Sequence, residues 1–307
     1  MSQQTPDLFS GVLVPALTPF RADLAPDAGR FTRLCKFLLA EGASGLAVFG
    51  TTSEGNCLSV AERNRLLDHL IAESVPAACL LPGTGACALT DAVELTRHAV
   101  AIGAGGVLVL PPFYYKNQSD DGFYAYFSEI IQRVADQRLR LYLYHFPQMS
   151  AAPISMELIA RLHGQYPDTV VGLKDSSGNW DGTKQMIAEF PNMAIFPSSE
   201  TLLLEGLTLG AAGCISATAN IQAGAIARLI EAHGAPDAEQ LHGIIASVRK
   251  AFEAYPLIPA LKAVIARDTG DDVWLNTRPP ITALPAGSAG ALFEALGALE
   301  GYQPLTL

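Results

Sequence analysis

Charged residues are scarce in this sequence, and positive charge is the scarcer sign. Asp, Glu, Lys and Arg make up 16% of the 307 residues, and 20 Lys and Arg stand against 30 Asp and Glu, a formal charge of −10. No run of basic residues offsets this balance. An acidic chain is repelled by phosphate backbones and anionic lipid surfaces. The sequence therefore argues against nucleic acid or a membrane as its main partner.

Cysteine and histidine are also sparse. The five cysteines are odd in number, scattered and mostly flanked by Ala, Leu or Gly, so we expect small buried residues in a reducing compartment. They are Cys35, Cys57, Cys79, Cys87 and Cys214. The six histidines include no H-x-x-x-H pair, so metal catalysis has little support, and we expect no cofactor.

Long apolar runs and signal-peptide features are missing as well. The N-terminal stretch MSQQTPDLFSG has neither a basic segment nor an apolar segment of the kind that directs secretion. No uninterrupted apolar run is long enough to cross a bilayer. We therefore expect a cytoplasmic protein.

Short apolar stretches instead alternate with longer amphipathic ones as far as about residue 220. Half of the residues are hydrophobic, which is enough for a large core. The strand candidates are residues 11–17, 44–50, 78–85, 105–112, 139–146, 169–175, 192–199 and 212–220. Segments between them, such as SVAERNRLLDHLIAES, carry apolar residues at helical spacing, and Ser59 and Glu62 have the spacing of a capping box. This α/β pattern predicts a (β/α)8 TIM barrel over residues 1–221, followed by the last barrel helix and a C-terminal helical region over residues 222–307.

One lysine ends an apolar strand candidate, in the stretch VVGLKDSSGNW. The preceding residues are typical of a strand covered on both faces, and Lys174 stands just before a polar turn. Without a countercharge, desolvation drives a buried lysine toward its neutral form, which is a nucleophile. A lysine that extends past the strand end into water explains the isolated segment equally well.

The other five lysines look different. Four lie in predicted helices, where a solvated face is the natural expectation: Lys36, Lys184, Lys250 and Lys262. Lys116 lies in the polar stretch KNQSDD. Only Lys174 ends an apolar strand candidate, which favours a functional role for it.

Two further polar sites lie at strand ends of the predicted barrel. Tyr144 ends the fifth strand candidate, and Thr51 and Thr52 directly follow the second. His145 should point to the opposite face of the strand from Tyr144. Since catalytic groups of such barrels lie at the C-terminal ends of the strands, we expect Lys174, Tyr144 and Thr51 to converge on one site.

Five stretches in this order and spacing resemble the dihydrodipicolinate synthase / N-acetylneuraminate lyase family of class I aldolases. They are FGTTSEGNCLSVAER, PPFYYKNQ, LYLYHFP, VGLKDSSG and GAAGCISATAN, and the likeness covers nearly the whole chain. The resemblance implies that Lys174 forms a Schiff base with the keto carbon of pyruvate or a related 2-oxo acid. It implies that Tyr144 moves protons there, with Thr51 and a Tyr115 from a neighbouring subunit completing the relay. A homo-oligomer, a dimer of dimers, is expected on the same basis.

The resemblance also implies substrate contacts. The Thr51–Thr52 turn should hold the 2-oxo acid carboxylate, and Ile215 of GAAGCISATAN should line the substrate site. Ser198 and Ser199, with Glu200 beside them, stand where the lyases place polar groups for a hydroxylated substrate tail.

Two positions depart from the family pattern. Ser53 replaces the second glycine of Gly-Thr-Thr-Gly-Glu, so the turn must accommodate a side chain. Met149 stands where dihydrodipicolinate synthases carry an arginine for the carboxylate of the second substrate. A thioether cannot hold a carboxylate as a guanidinium does.

The leading hypothesis is a lyase that cleaves a 2-oxo acid, such as a 2-keto-3-deoxy sugar acid, to pyruvate and an aldehyde. A dehydratase of a similar acid would use the same Schiff base, and dihydrodipicolinate synthase is the biosynthetic alternative. A barrel that binds a 2-oxo acid as a sensor without catalysis is the alternative from another class of function.

Overall fold

Short parallel strands line the centre of the protein, which the computed structural model describes over residues 8–307. Within these residues seven strands are formed: β1 (Gly11–Val14), β2 (Gly45–Leu46), β3 (Val107–Val109), β4 (Leu141–His145), β5 (Val170–Asp175), β6 (Ala194–Pro197) and β7 (Gly213–Cys214). Each lies inside one of the predicted stretches and is shorter than it. The predicted strand 212–220 is wrong in its second half, because Ser216 and Thr218 turn their hydroxyls to the Glu200 carboxylate and a helix begins at Ala219.

The strands form two parallel sheets that join into one barrel. Their orders are β2-β1-β7 and β3-β4-β5-β6. The gap between β2 and β3 is closed by the predicted third strand, residues 78–85, which forms a short extended segment. Its parallel bridges pair Leu80 with Leu46 and Gly83 with Leu108. At the other gap the Ala212 N–H donates to the Ile195 carbonyl at 2.9 Å. Eight chain segments therefore complete the circle, and the predicted TIM barrel is confirmed.

Helices cover the outside of the barrel. They are α1 (Ala28–Ala40), α2 (Val60–Ala72), α3 (Leu89–Ala101), α4 (Asp120–Val134), α5 (Pro147–Ser150), α6 (Met156–Gln165), α7 (Trp180–Glu189), α8 (Leu203–Leu209), α9 (Ala219–Glu231), α10 (Ala238–Ala251), α11 (Leu257–Thr269) and α12 (Ala286–Gly297). The capping box predicted at Ser59 and Glu62 begins α2. The one-turn helix α5 was not predicted; it begins with Pro147, whose missing N–H costs nothing at a first helical position. Within residues 8–307, no helix is both long and apolar enough to span a bilayer.

Among the described residues, a cluster of buried hydrophobic side chains fills the barrel interior. They are Leu13, Ala47, Leu81, Leu108, Tyr142, Tyr144, Val171, Ala194, Phe196 and Ile215. The largest of the fully buried members is Tyr142, whose ring lies against Gly172 on the neighbouring strand. A Cβ at Gly172 would lie 2.3 Å from Cδ1 of that ring. Glycine is therefore required at position 172 because the Tyr142 ring approaches the backbone closely there, not because the chain turns.

Two expectations about burial are wrong. Lys262 was expected on a solvated helix face, but it is fully buried because α11 is enclosed on every side, with all residues from Pro259 to Ala266 buried. Of the cysteines, Cys35 and Cys214 are buried as expected, whereas Cys87 is exposed and the other two, at 57 and 79, are half-buried.

The contact between Gly172 and Tyr142 predicts a substitution effect. We expect Gly172→Ala to lower the free energy of unfolding by about 1–3 kcal/mol, the usual cost of overpacking a core. A methyl group at Gly164, on the exposed side of α6, would have nothing within 4 Å, so Gly164→Ala is the matched control and should leave stability equal or slightly higher. Urea unfolding of the variants measures both, and equal midpoints for Gly172→Ala and the unmodified protein would contradict the packing argument.

Candidate active site

Three of the predicted catalytic side chains lie together at the C-terminal end of the barrel. Tyr144 on β4 and Lys174 on β5 are direct partners in the parallel register. The Lys174 Nζ donates to the Tyr144 Oη at 3.4 Å and lies 4.4 Å from the centre of the ring. The Tyr144 Oη and the Thr51 Oγ1 are 3.2 Å apart. An amine, a phenol and an alcohol thus form one continuous chain of polar groups.

This chain of groups is shielded from solvent but adjoins an opening. Lys174 is 5% exposed and Tyr144 is 3% exposed. A small pocket at the barrel mouth reaches Thr51 and Tyr144. It is lined by Phe49, Gly50, Thr51, Asn56, Gly83, Gly85, Leu108, Leu110 and Tyr144. A small ligand that enters here meets the hydroxyl groups directly.

The residues next to Tyr144 and Lys174 face the other way, as predicted for His145. The His145 Nδ1 accepts from the Ile154 N–H at 3.0 Å, so the neutral ring carries its proton on Nε2. Burial lowers the pKa of His145, and the nearby Asp175 partly opposes this shift. Asp175 accepts from the Ser177 N–H at 2.9 Å and from the Thr183 hydroxyl. These outward contacts fix the strand ends that carry the inward pair.

The loop that carries Thr51 and Thr52, residues 49–57, is called the threonine loop below, and its backbone is unusual. Phe49 and Glu54 have φ values of 61° and 55°, in the left-handed region that non-glycine residues rarely adopt. A Cβ at Gly55 would lie 1.9 Å from the Phe49 carbonyl oxygen, so only glycine fits there. The Ser53 side chain is accommodated in full burial, and the Ser53 carbonyl accepts from the Thr18 hydroxyl at 2.7 Å.

Buried and half-buried charged groups hold this loop from behind. The Arg63 guanidinium on α2 donates to the Gly55 carbonyl, and burial lowers the pKa of Arg63 to about 10. Glu54 forms a fully buried ion pair with Lys262 of α11. The Arg278 guanidinium donates to the Cys57 carbonyl at 2.7 Å. Sequence reasoning missed this support, although one signal was present: Lys262 lies in the otherwise apolar run LIPALKAVIA.

Two predicted residues do not join the site within this chain. Tyr115 is 73% exposed, and its ring packs edge-on against that of Tyr114 at 5.3 Å. Met149 lies on α5 and is 61% exposed. The roles expected for them, in a relay from a neighbouring subunit and at the distal end of the substrate, remain predictions.

The other predicted substrate contacts differ in their burial. Thr52 is 8% exposed, and Ile215 is buried in the barrel interior. Ser198 and Ser199 are half-buried after β6, and the Ser199 Oγ lies 2.8 Å from the Thr201 hydroxyl.

Glu200, beside them, is fully enclosed. Its carboxylate accepts from the hydroxyls of Ser216 and Thr218 and, at 2.7 Å, from the Gln222 amide. The expectation that Glu200 offers a polar group to a substrate tail is therefore wrong for this arrangement, because its oxygens are used inside the protein. Over residues 8–307, no group of three or more His, Cys, Asp and Glu side chains is placed to hold a metal ion.

Comparison with known proteins places this geometry in a family. The profile of the dihydrodipicolinate synthetase family matches residues 8–297. An uncharacterised DapA-like lyase of Chloroflexus aurantiacus is 35% identical over 288 residues, which are 93% of this chain and 95% of the relative.

Solved structures agree with this result. The dihydrodipicolinate synthase of Agrobacterium tumefaciens superposes with a TM-score of 0.86 at 30% identity, over 94% of this chain and 99% of the other. YagE, a prophage protein of the dihydrodipicolinic acid synthase family from E. coli K12 in complex with pyruvate, gives a TM-score of 0.86 at 26% identity, over 96% and 99% of the chains. The expectation of an enzyme of the carbon–carbon lyase type is confirmed. The chain belongs to the dihydrodipicolinate synthetase family.

Proposed function

We propose that this enzyme is a Schiff-base lyase that cleaves a 4-hydroxy-2-oxo acid, such as a 2-keto-3-deoxy sugar acid, to pyruvate and an aldehyde. The observation that carries the proposal is the chain Lys174–Tyr144–Thr51 at the barrel mouth, with contacts of 3.4 and 3.2 Å. It supplies a nucleophile and proton carriers in one shielded place. The relative from E. coli that is solved in complex with pyruvate supports a 2-oxo acid as the ligand.

Lys174 is the nucleophile in this proposal. Its neutral amine attacks the ketone carbon of the substrate, and loss of water leaves an iminium that withdraws electrons from the neighbouring carbons. Within the described residues Lys174 forms no ion pair, whereas the other deeply buried lysine, Lys262, is paired with Glu54.

Tyr144 carries the protons. The C3–C4 bond breaks when a base takes the proton from the C4 hydroxyl; the aldehyde leaves, and the electron pair of the bond forms the enamine of pyruvate. The Tyr144 Oη lies beside the amine and is bonded to Thr51, which gives the proton a route toward the pocket. Protonation of the enamine and hydrolysis of the iminium then release pyruvate and restore Lys174.

Tyr115 extends the proposal to the oligomer. An aromatic side chain that is 73% exposed, beside a Tyr114 that is 72% exposed, forms an apolar surface with a polar tip. We propose that this pair packs against a second copy of the chain and that Tyr115 completes the relay there. The proposed assembly is a dimer of dimers.

Met149 selects the lyase reaction over the synthase reaction. The synthase condenses pyruvate with an aldehyde that carries a carboxylate, and Met149 offers that carboxylate no positive charge. The proposed substrates therefore have a neutral polyol or an apolar group at their distal end. A dehydratase would use the same imine, and measurement of free pyruvate separates it from a lyase.

The first test traps the proposed intermediate. Incubation with pyruvate and borohydride should add one reduced pyruvate to the peptide that carries Lys174, and Lys174→Ala should abolish labelling and turnover. Lys116→Ala is the control, since that lysine lies in an exposed loop. Mass spectrometry of the digested protein measures both, and an active enzyme with an unmodified Lys174 peptide would exclude the Schiff-base mechanism.

Tyr144→Phe tests the proton carrier. The ring and its packing remain, but the hydroxyl between Lys174 and Thr51 is lost, so we expect turnover to fall by about 10²- to 10⁴-fold. Pyruvate trapping at saturating concentration should persist, because the amine is still present. Steady-state pyruvate release measures the effect. Turnover near that of the unmodified enzyme would reduce Tyr144 to a packing residue.

Met149→Arg tests the substrate class. Because Met149 is 61% exposed, the new charge is solvated and the unfolding midpoint should barely change. We expect the unmodified enzyme to release pyruvate from at least one keto-deoxy sugar acid and to condense pyruvate with aspartate semialdehyde negligibly. The variant should admit acidic aldehydes, because a guanidinium offers their carboxylate a partner. Efficient dihydrodipicolinate formation by the unmodified enzyme, measured with a coupled reductase, would favour the synthase instead.

A further inference from the structure

A buried ion pair lies directly behind the threonine loop. Glu54, two residues after Thr52, is 2% exposed, and its partner Lys262 on α11 is fully buried. The Lys262 Nζ also donates to the Asn276 carbonyl at 2.9 Å and lies 4.6 Å from the centre of the Phe20 ring. Burial lowers the pKa of Lys262, and the Glu54 charge opposes this shift. The ammonium is thus surrounded by groups that fix its position.

The segment that follows α11 adds a second hold on the same loop. The Arg278 N–H donates to the Glu54 Oε2 at 3.2 Å, and the Arg278 guanidinium reaches the Cys57 carbonyl at 2.7 Å. The same guanidinium forms a bidentate pair with Glu62 of α2 at 2.8 and 2.9 Å. Both ends of residues 54–57 are therefore tied to the C-terminal part of the chain.

Stability alone does not account for a buried pair of this kind. Desolvation cancels much of the attraction between buried charges, and apolar residues of similar size commonly stabilise a fold as well or better. The pair does set one conformation. The Glu54 backbone is left-handed at φ 55°, and so is Phe49 at φ 61°, and such a backbone persists only where surrounding contacts determine it. The threonines lie between these two residues.

We propose that Glu54 and Lys262 are positioning residues for the 2-oxo acid carboxylate. Their ion pair holds the threonine loop in the strained form that presents Thr51 and Thr52 to that carboxylate. The inference rests on the proposed function, since it takes Thr51 and Thr52 as the carboxylate contacts. It assigns to α11, which lies outside the barrel strands, a part in substrate affinity.

A second ion pair provides the matched control. Arg30 of α1 donates to Asp271 at 2.6 and 3.1 Å, and so also joins the barrel to the C-terminal part of the chain. Its partners are Asp27 and Asp271, which lie outside the threonine loop. This pair is partly exposed, and its loss removes a link between the barrel and the C-terminal part of the chain without releasing the loop.

The test compares two ketones that differ in charge. Glu54→Gln combined with Lys262→Met removes both charges together, which avoids a lone buried ion, while the glutamine keeps an acceptor for the Arg278 N–H. Borohydride trapping at Lys174, followed by mass spectrometry, gives the half-saturating concentration of pyruvate and of methyl pyruvate, whose carboxylate is esterified and uncharged. Arg30→Met is measured in parallel. Glu54→Asp, which keeps the charge on a shorter side chain, is the second variant if the double variant fails to fold.

We expect the double variant to need about 10- to 100-fold more pyruvate, the scale of effect of a small misplacement in a site, but a nearly unchanged concentration of methyl pyruvate. Glu54→Asp should show the same selective loss to a smaller extent, and Arg30→Met should match the unmodified enzyme for both ketones. Unchanged pyruvate trapping, or an equal loss for both ketones, would overturn the positioning role. An unmodified enzyme that traps neither ketone would overturn the proposed function, and this inference with it.

Discussion

Side chains alternate between the two faces of a strand, and the site depends on this alternation along the paired strands β4 and β5. Tyr144 and Lys174 share one register position and point inward, so their polar atoms meet at the barrel mouth. The next residues along, His145 and Asp175, point outward and bind the covering layer. A slip of one residue in either strand would exchange the two pairs and leave the mouth without an amine.

The register of these strands depends in turn on the barrel interior. A register shift between Leu141 and Tyr142 lets the Tyr142 ring lie over Gly172, where no side chain competes for the space. The Phe9 N–H donates to the Tyr142 hydroxyl at 3.1 Å, and burial raises the pKa of Tyr142 to about 12. The phenol thus stays neutral as a packing residue. Tyr142 and Tyr144 lie on one strand and face the same interior. Tyr142 lies deeper and packs against Gly172, whereas Tyr144 lies at the barrel mouth beside Lys174.

Sequence reasoning reached the barrel and the three inward groups because both follow from local patterns. The order of eight apolar strands and the lysine that ends one of them are visible without distant contacts, which is why Lys174, Tyr144 and Thr51 could be placed together. Lys262 could not be placed in this way. Its position in a helix predicts a solvated face, whereas contacts with residues far away in the sequence enclose every side of that helix. Tyr115 is a different case, since a side chain expected to act on another subunit leaves no local pattern of its own.

Two buried carboxylates at the top of the barrel are satisfied in different ways. Glu54 faces the ammonium of Lys262, while Glu200 accepts from the neutral groups of Ser216, Thr218 and Gln222. The hydroxyl and amide donors of Glu200 come from residues that follow β7. They therefore join the chain after β7 to the segment after β6, which carries Glu200. A cationic partner can come from any part of the chain, and that of Glu54 comes from the helix α11.

The long span between Glu54 and its supports has a consequence for the order in which the protein matures during synthesis. Glu54 and Arg278 are 224 residues apart, and the chain emerges from the ribosome with its N-terminal part first. The strands that carry Lys174 and Tyr144 can pair while the C-terminal helices are still being made. The threonine loop cannot yet be held in its left-handed conformation, because the Lys262 ammonium that pairs with Glu54 is missing until α11 has been synthesised and docked. If the threonine loop binds the 2-oxo acid as proposed, the nascent barrel therefore contains Lys174 before it contains the carboxylate site, and substrate affinity arises only when translation of the chain is almost complete.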